Sequence, residues 1–222
     1  TSSQLVEEEP EMFRVLSVLL AASSFGLAPG APVLAAEPGA LPALYAVSGV
    51  ASDDQLNVRA APDAGAEIIG ALSHAQTHVE ITATNDDQSW GRVNTGERAG
   101  WVSLAYMDRQ EGSALPDAGA LRCLGTEPFW SLDAVPGEDV GWSEPETTLP
   151  RLRADALRTA EGRFEPYVLT FGGPGQDGTL VIHPVEACSD GMSEQLYGLS
   201  GDVVLTGRTE RAVSGCCSIQ PQ

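Results

Sequence analysis

The chain contains no lysine, and arginine supplies all 12 of its basic residues against 31 acidic ones, for a formal net charge of −19. A surface so poor in positive charge repels phosphate backbones and anionic lipid headgroups, which argues against nucleic acid as a partner. No cysteine precedes Cys123, so the first half of the chain holds neither disulfide nor thiolate site. The sequence also lacks Gly-x-Ser-x-Gly, His-Glu-x-x-His and a phosphate-cradling glycine loop. Without these hydrolase, zincin and nucleotide signatures, no enzyme activity and no cofactor are expected. No segment stays apolar for 18 residues, so no membrane-spanning helix is expected.

What is present begins with a processing signal. Met12-Phe13-Arg14 opens a segment with one positive charge, and an apolar run follows from Val15 to about Leu27. Val33-Leu34-Ala35-Ala36 then fits a signal-peptidase site, with cleavage after Ala35 or Ala36. Residues 1–11, with four glutamates, do not suit the start of a signal peptide and read as an upstream extension. With residues 12–36 as signal peptide, the remainder is expected to be periplasmic or secreted, not inserted in a membrane. The exported part keeps 27 acidic residues against 11 arginines, a charge of −16.

Composition divides that part further. Residues 37–43, with two prolines, read as a tether, and residues 111–120, Glu-Gly-Ser-Ala-Leu-Pro-Asp-Ala-Gly-Ala, as a flexible linker. Between them, His78-Val79-Glu80-Ile81-Thr82-Ala83-Thr84 alternates polar and apolar residues as a half-buried strand does. Turn signals at Asp53-Asp54, Pro62-Asp63, Asn85-Asp86-Asp87 and Asn94-Thr95-Gly96 separate several such strands. His74 and His78, four apart, are expected on one strand as solvated surface residues. Residues 121–222 also read as β-structure, with strands at Phe129-Trp130, residues 167–171 and 179–183, and a closing hairpin around Gly207-Arg208. Residues 151–159 are the one place where a helical turn is expected. The expected fold is all-β: a small barrel over residues 44–110, then a second domain that is a barrel or a sandwich.

Leu56-Asn57-Val58-Arg59-Ala60-Ala61-Pro62, followed by Ser89-Trp90-Gly91-Arg92-Val93 and Gly100-Trp101-Val102, resembles the bacterial SH3-type (SH3b) domain over residues 44–107. The resemblance implies a binding module whose ligands lie in a groove lined by aromatic side chains and polar loop groups. The positions that match such a groove are Tyr45, Trp90, Trp101 and Tyr106, with Asn57 and Arg59 at the rim. The competing reading for both tryptophans is core packing, on which small barrels depend, and it is the stronger one for Trp101. Gly91 stands where the family usually has an aromatic residue. The resemblance further implies peptidoglycan stem peptides or an envelope protein as partner.

In the second domain, Gly125-Thr126-Glu127-Pro128-Phe129-Trp130, Cys188-Ser189-Asp190-Gly191-Met192-Ser193 and Gly215-Cys216-Cys217 resemble a domain of uncharacterised bacterial envelope proteins, one that brings no assigned activity. The opening from Gly125 to Trp130 is also similar to the first strand of lipocalin-like barrels. In an oxidising compartment the four cysteines Cys123, Cys188, Cys216 and Cys217 are expected as two disulfides. A bridge between the neighbours Cys216 and Cys217 strains the intervening peptide, which leaves each of them to pair with Cys123 or Cys188. The alternative chemistry is a soft-metal site for Cu(I), drawing on the cysteines with His183 and Met192, or a thiol enzyme using Cys188 and His183. No metal is expected. The function expected overall is non-catalytic recognition in the envelope, with an acidic interaction or inhibitor protein for a cationic partner as the alternative.

Overall fold

The computed structural model describes residues 39–221, together with Thr1. The rest of the expected upstream extension, the signal segment and the start of the tether lie outside the described residues. The chain is all-β, and no helix among the described residues is long and apolar enough to cross a membrane.

The first eight strands build a small two-sheet body. They are β1 (Ala43–Val47), β2 (Gln55–Arg59), β3 (Ile68–Ser73), β4 (Val79–Ile81), β5 (Ala83–Thr84), β6 (Trp90–Thr95), β7 (Arg98–Ser103) and β8 (Met107–Arg109). One sheet has the order β4-β1-β8 and the other β3-β2-β7-β6-β5. Alternation places Leu56 and Val58 of β2, Val93 of β6 and Val102 of β7 in one apolar cluster with Val47, Val79, Ile81 and Met107. Expected strands thus form where the period of two is clear. His74 and His78 are the exception: they fall in the turn between β3 and β4, where the apolar alternation stops.

The remaining strands close a barrel. They are β9 (Ala120–Thr126), β10 (Phe129–Val135), β11 (Asp139–Glu144), β12 (Thr147–Thr148), β13 (Leu152–Ala154), β14 (Arg158–Thr159), β15 (Tyr167–Gly173), β16 (Gln176–Cys188), β17 (Tyr197–Gly207) and β18 (Arg211–Gln220). Eight of them pair antiparallel in chain order, β9-β10-β11-β13-β15-β16-β17-β18, and β18 returns to β9. Closure removes the unpaired sheet edges that invite aggregation. Of the two expected forms, barrel and sandwich, the chain adopts the barrel. Its interior holds Leu132, Leu169, Leu180, Ile182, Leu199 and Val203 among others, with Trp130 stacked on Trp142 at a centroid distance of 5.2 Å. The helical turn expected at residues 151–159 is absent; strands β13 and β14 stand there. Leu152 and Ala154 point inward while Arg153 is exposed, and pairing with β15 outweighs the local helical preference.

Both cysteine pairs are oxidised, as Cys123–Cys217 and Cys188–Cys216. The first joins directly opposed positions on β9 and β18. The segment expected as a flexible linker is instead packed: Ser113, Ala114, Leu115 and Ala118 are buried. Ser113 Oγ accepts from the Leu44 N–H at 3.0 Å and donates to the Gln110 carbonyl at 2.6 Å, pinning the segment to β1. Small apolar residues suit a mobile linker and a buried strap equally, so composition alone does not separate the two.

Candidate functional site

A groove of about 520 Å³ opens on the small body between the loop after β1, strand β2 and the starts of β6 and the 104–106 turn. It is lined by Asn57, Arg59, Trp90 and Tyr106, joined by Gly49 and Asp54. Each reaches it for a local reason. On β2, Leu56 and Val58 face the core, which turns Asn57 and Arg59 to the opposite side. Arg59 is held there by its guanidinium, which donates to the Ala66 carbonyl at 2.7 Å. Trp90 opens β6 directly after a turn closed by its own side chains. Asn85 Oδ1 accepts from the Trp90 N–H at 2.9 Å, and Asp87 Oδ1 accepts from the Ser89 N–H at 2.9 Å and from its hydroxyl. The Ser89 hydroxyl and N–H hold the Asp87 carboxyl below the usual carboxylate range. Tyr106 ends a single 3₁₀ turn and is 44% exposed, its carbonyl accepting from the Ser48 N–H at 2.9 Å. The groove therefore offers two aromatic faces, one guanidinium, one carboxylate and an amide, on a rigid sheet.

Two expected groove residues lie elsewhere. Tyr45 packs against the small body's own core and does not line the groove. Its strand is enclosed on both sides, since Leu44 on the other face joins the core of the large barrel. Trp101 lies outside the groove, and it is not a core residue either: Gly100 and Val102 are buried, and Trp101 between them is half-buried on the outward face. There it shares a rung with Arg59 on one side and Arg92 on the other. Gly91 is explained by packing. A Cβ at that position would lie 2.8 Å from Leu104 Cδ2 and 2.9 Å from Ile81 Cδ1, so the core leaves no space for the family's usual aromatic. Sequence reading misses the 49–54 loop as a groove wall, because its residues are ordinary turn formers.

The junction between the two bodies is a second constellation absent from the expectations. Arg92, only 7% exposed, donates from Nε to Thr82 Oγ1 at 2.9 Å and from Nη2 to the Glu186 carbonyl. Desolvation lowers its pKa, partly opposed by the nearby Glu186 carboxylate. Glu80, opposite Leu44 on the same sheet face, accepts from the Ile219 N–H at 2.7 Å. Burial pushes its carboxyl up to about 7, against the lowering pull of that N–H. At Gly198 a Cβ would meet Pro42 Cγ at 2.6 Å and the Thr82 carbonyl at 2.7 Å, so the bodies approach too closely for a side chain. Finally, β17's leading loop grips the β6–β7 hairpin: the Ala99 N–H donates to the Glu194 carbonyl, the Glu194 N–H to the Glu97 carbonyl, and Asn94 bonds Leu196 in both directions.

At the barrel mouth, the β9–β10 and β11–β12 turns enclose a cleft of about 550 Å³ lined by Glu127, Phe129, Glu144, Glu146 and Arg211. Phe129 is 53% exposed, and Glu144 pairs with Arg211 at 2.9 Å. The four cysteines are bonded to one another, which removes the thiolates that both the Cu(I) set and the Cys188–His183 pair require. Met192, the thioether of that set, is exposed to solvent.

Residues 54–108 match the family model of the bacterial SH3 domain. The match finds a bacterial SH3 domain over β2 to β7 and most of β8, and β1 of the same body precedes the matched span. No curated protein matches the chain.

Proposed function

We propose that the protein is an exported, non-catalytic recognition protein of the bacterial cell envelope, and that the SH3 groove holds a peptide. Peptidoglycan stem peptides are the ligand class this reading favours, with an extended segment of an envelope protein next. The observation that carries it is the convergence of Asn57, Arg59, Trp90 and Tyr106 on one groove in a bacterial SH3 domain. Aromatic faces supply contact area at small entropic cost, while Arg59 and Asp54 can engage the carboxylate and amine of a short peptide. The signal-like residues 12–36 and the two disulfides support export. The likeness of residues 121–218 to an envelope domain agrees with the same setting.

Co-sedimentation with purified sacculi, with and without about 0.5 M salt, tests the proposal, because screening weakens exposed charge contacts far more than aromatic ones. Binding that survives salt and is lost in Tyr106→Ala supports the groove. Absence of binding at low salt rejects peptidoglycan as ligand. A second reading, contact with a basic partner protein, draws on the acidic mouth cleft with its exposed Phe129. It requires binding that salt abolishes and that Tyr106→Ala leaves intact.

A further inference from the structure

The two disulfides sit in different surroundings. Cys123 and Cys217 are fully enclosed within the barrel core. Cys188 is half-buried, at the point where the β16–β17 ladder becomes irregular between Pro184 and Cys188. Its partner Cys216 forms part of the wall of a cleft of about 290 Å³, shared with Ser189, Asp190, Met192 and Gly215. Of the four cysteines, Cys188 alone is not buried; Cys216, 1% exposed, is enclosed like Cys123 and Cys217, so solvent reaches this disulfide from the Cys188 side.

The accessible disulfide also anchors the segment that grips the SH3 domain. On its N-terminal side, the Glu186 carbonyl accepts from Arg92. On its C-terminal side, residues 194–196 exchange main-chain and amide bonds with the β6–β7 hairpin, and the Glu194 carboxylate pairs with Arg98 at 3.7 Å. Besides Cys188–Cys216, the first half of this loop is tied to β9 by the Thr126 hydroxyl, which donates to the Asp190 carbonyl at 2.6 Å. Asp190 shapes the turn itself: desolvation raises its pKa, but the N–H groups of Ser193 and Met192 outweigh this and hold it below the usual range.

We infer that Cys188–Cys216 is a reversible thiol-exchange site whose state sets how firmly the barrel holds the SH3 domain, and that its reactant is a dithiol. In the exchange a thiolate of the dithiol attacks Cys188 Sγ and the Cys216 sulfur leaves as thiolate. The second thiol of the reactant then attacks the mixed disulfide and releases Cys188. The reactant ends as a disulfide, and two electrons and two protons pass to the cysteine pair. Cys123–Cys217, enclosed in the core, keeps the barrel closed throughout. With the bridge open, the start of the loop between β16 and β17 loses its covalent tie to β18 and keeps the Arg92–Glu186 bond, the Cys188–Tyr197 pairing and the Thr126–Asp190 bond, so its grip on residues 94–99 loosens.

The test uses the whole protein, dithiothreitol without denaturant, isotope-coded alkylation and amide hydrogen exchange. Expected is alkylation of Cys188 and Cys216 at least about tenfold faster than of Cys123 and Cys217. Exchange at the Ala99, Glu194 and Leu196 amides should rise by a similar factor while the central β16–β17 amides stay protected. The double variant Cys188→Ser/Cys216→Ser should show the raised exchange without any reductant; if it does not fold, the reduced natural chain gives the same readout. Equal labelling of all four cysteines, no labelling short of unfolding, or unchanged exchange at those three amides overturns the inference.

Discussion

At the scale of single residues, Trp90 and Tyr106 are separable from the fold. Both are at least partly exposed, and neither belongs to the apolar cluster of the SH3 body. Trp90→Ala and Tyr106→Ala should each weaken peptide binding by roughly 1–3 kcal/mol, about tenfold to a hundredfold, with little change in melting temperature. Isothermal titration beside thermal unfolding checks this; loss of folding in both variants, or intact binding, removes the groove as the site. Trp101 follows a different rule from the one its strand suggests. With its ring on the outward face, Trp101→Ala should cost clearly less than the about 3–5 kcal/mol of a core tryptophan. Glu80 sets a pH dependence. Its folded pKa of about 7 lies above the ordinary carboxylate value of 4.5. Stability from this site is therefore full below about pH 4.5 and falls as pH rises through 7, by roughly 3 kcal/mol at most. Glu80→Gln, which keeps an acceptor for the Ile219 N–H, should raise stability at about pH 8 and leave it nearly unchanged at about pH 4.5. Denaturant melts at the two pH values decide, and an equal shift at both contradicts the assignment.

At the scale of elements, what the sequence makes legible is whatever one strand can express by itself. Leu56 and Val58 declare their face because Asn57 separates them, and the closing hairpin around Gly207-Arg208 is bounded by alternating strands. The exclusion of a bridge between adjacent cysteines is equally local, and the pairs formed agree with it. Elements that answer to two neighbours are not legible this way. β1 is covered by its own core on one side and by the large barrel on the other, so Tyr45 carries no sign of which face is free. Residues 151–159 satisfy a helical and a strand pattern alike until β15 supplies the pairing. Arg92 gives a faint signal, a lone charge in an otherwise apolar stretch of β6, but its partner lies 94 residues away. The Cys123–Cys217 bridge, with a sequence separation of 94, is the element-scale constraint with the largest effect. In the chain-entropy treatment its removal costs about 5 kcal/mol. Cys123→Ser/Cys217→Ser should lower the denaturation midpoint of the barrel strongly, and a change below about 1 kcal/mol contradicts that reading.

At the scale of the whole molecule, the described part behaves as one body in spite of its two recognisable β-units. Leu44 from the SH3 side, Leu115 and Ala118 from the strap, and Ile219 from the barrel share one apolar cluster. Polar bonds at Arg92, Glu80 and residues 94–99 join the same two units. A groove on such a body is held in a fixed orientation to the barrel mouth. Burial of shared apolar surface makes unfolding of either unit expose part of the other, which couples their transitions. The chain should therefore unfold in a single step, with calorimetric and van't Hoff enthalpies equal and with tryptophan fluorescence and circular dichroism coincident. Arg92→Ala removes the buried guanidinium that spans the junction and leaves the Glu186 carbonyl without it. That variant should split the transition in two or lower the ratio of the enthalpies, while each unit keeps its strands. Two well-separated transitions in the unaltered protein would show that the strap and the shared cluster do not couple the units. The groove would then be free to turn relative to the barrel.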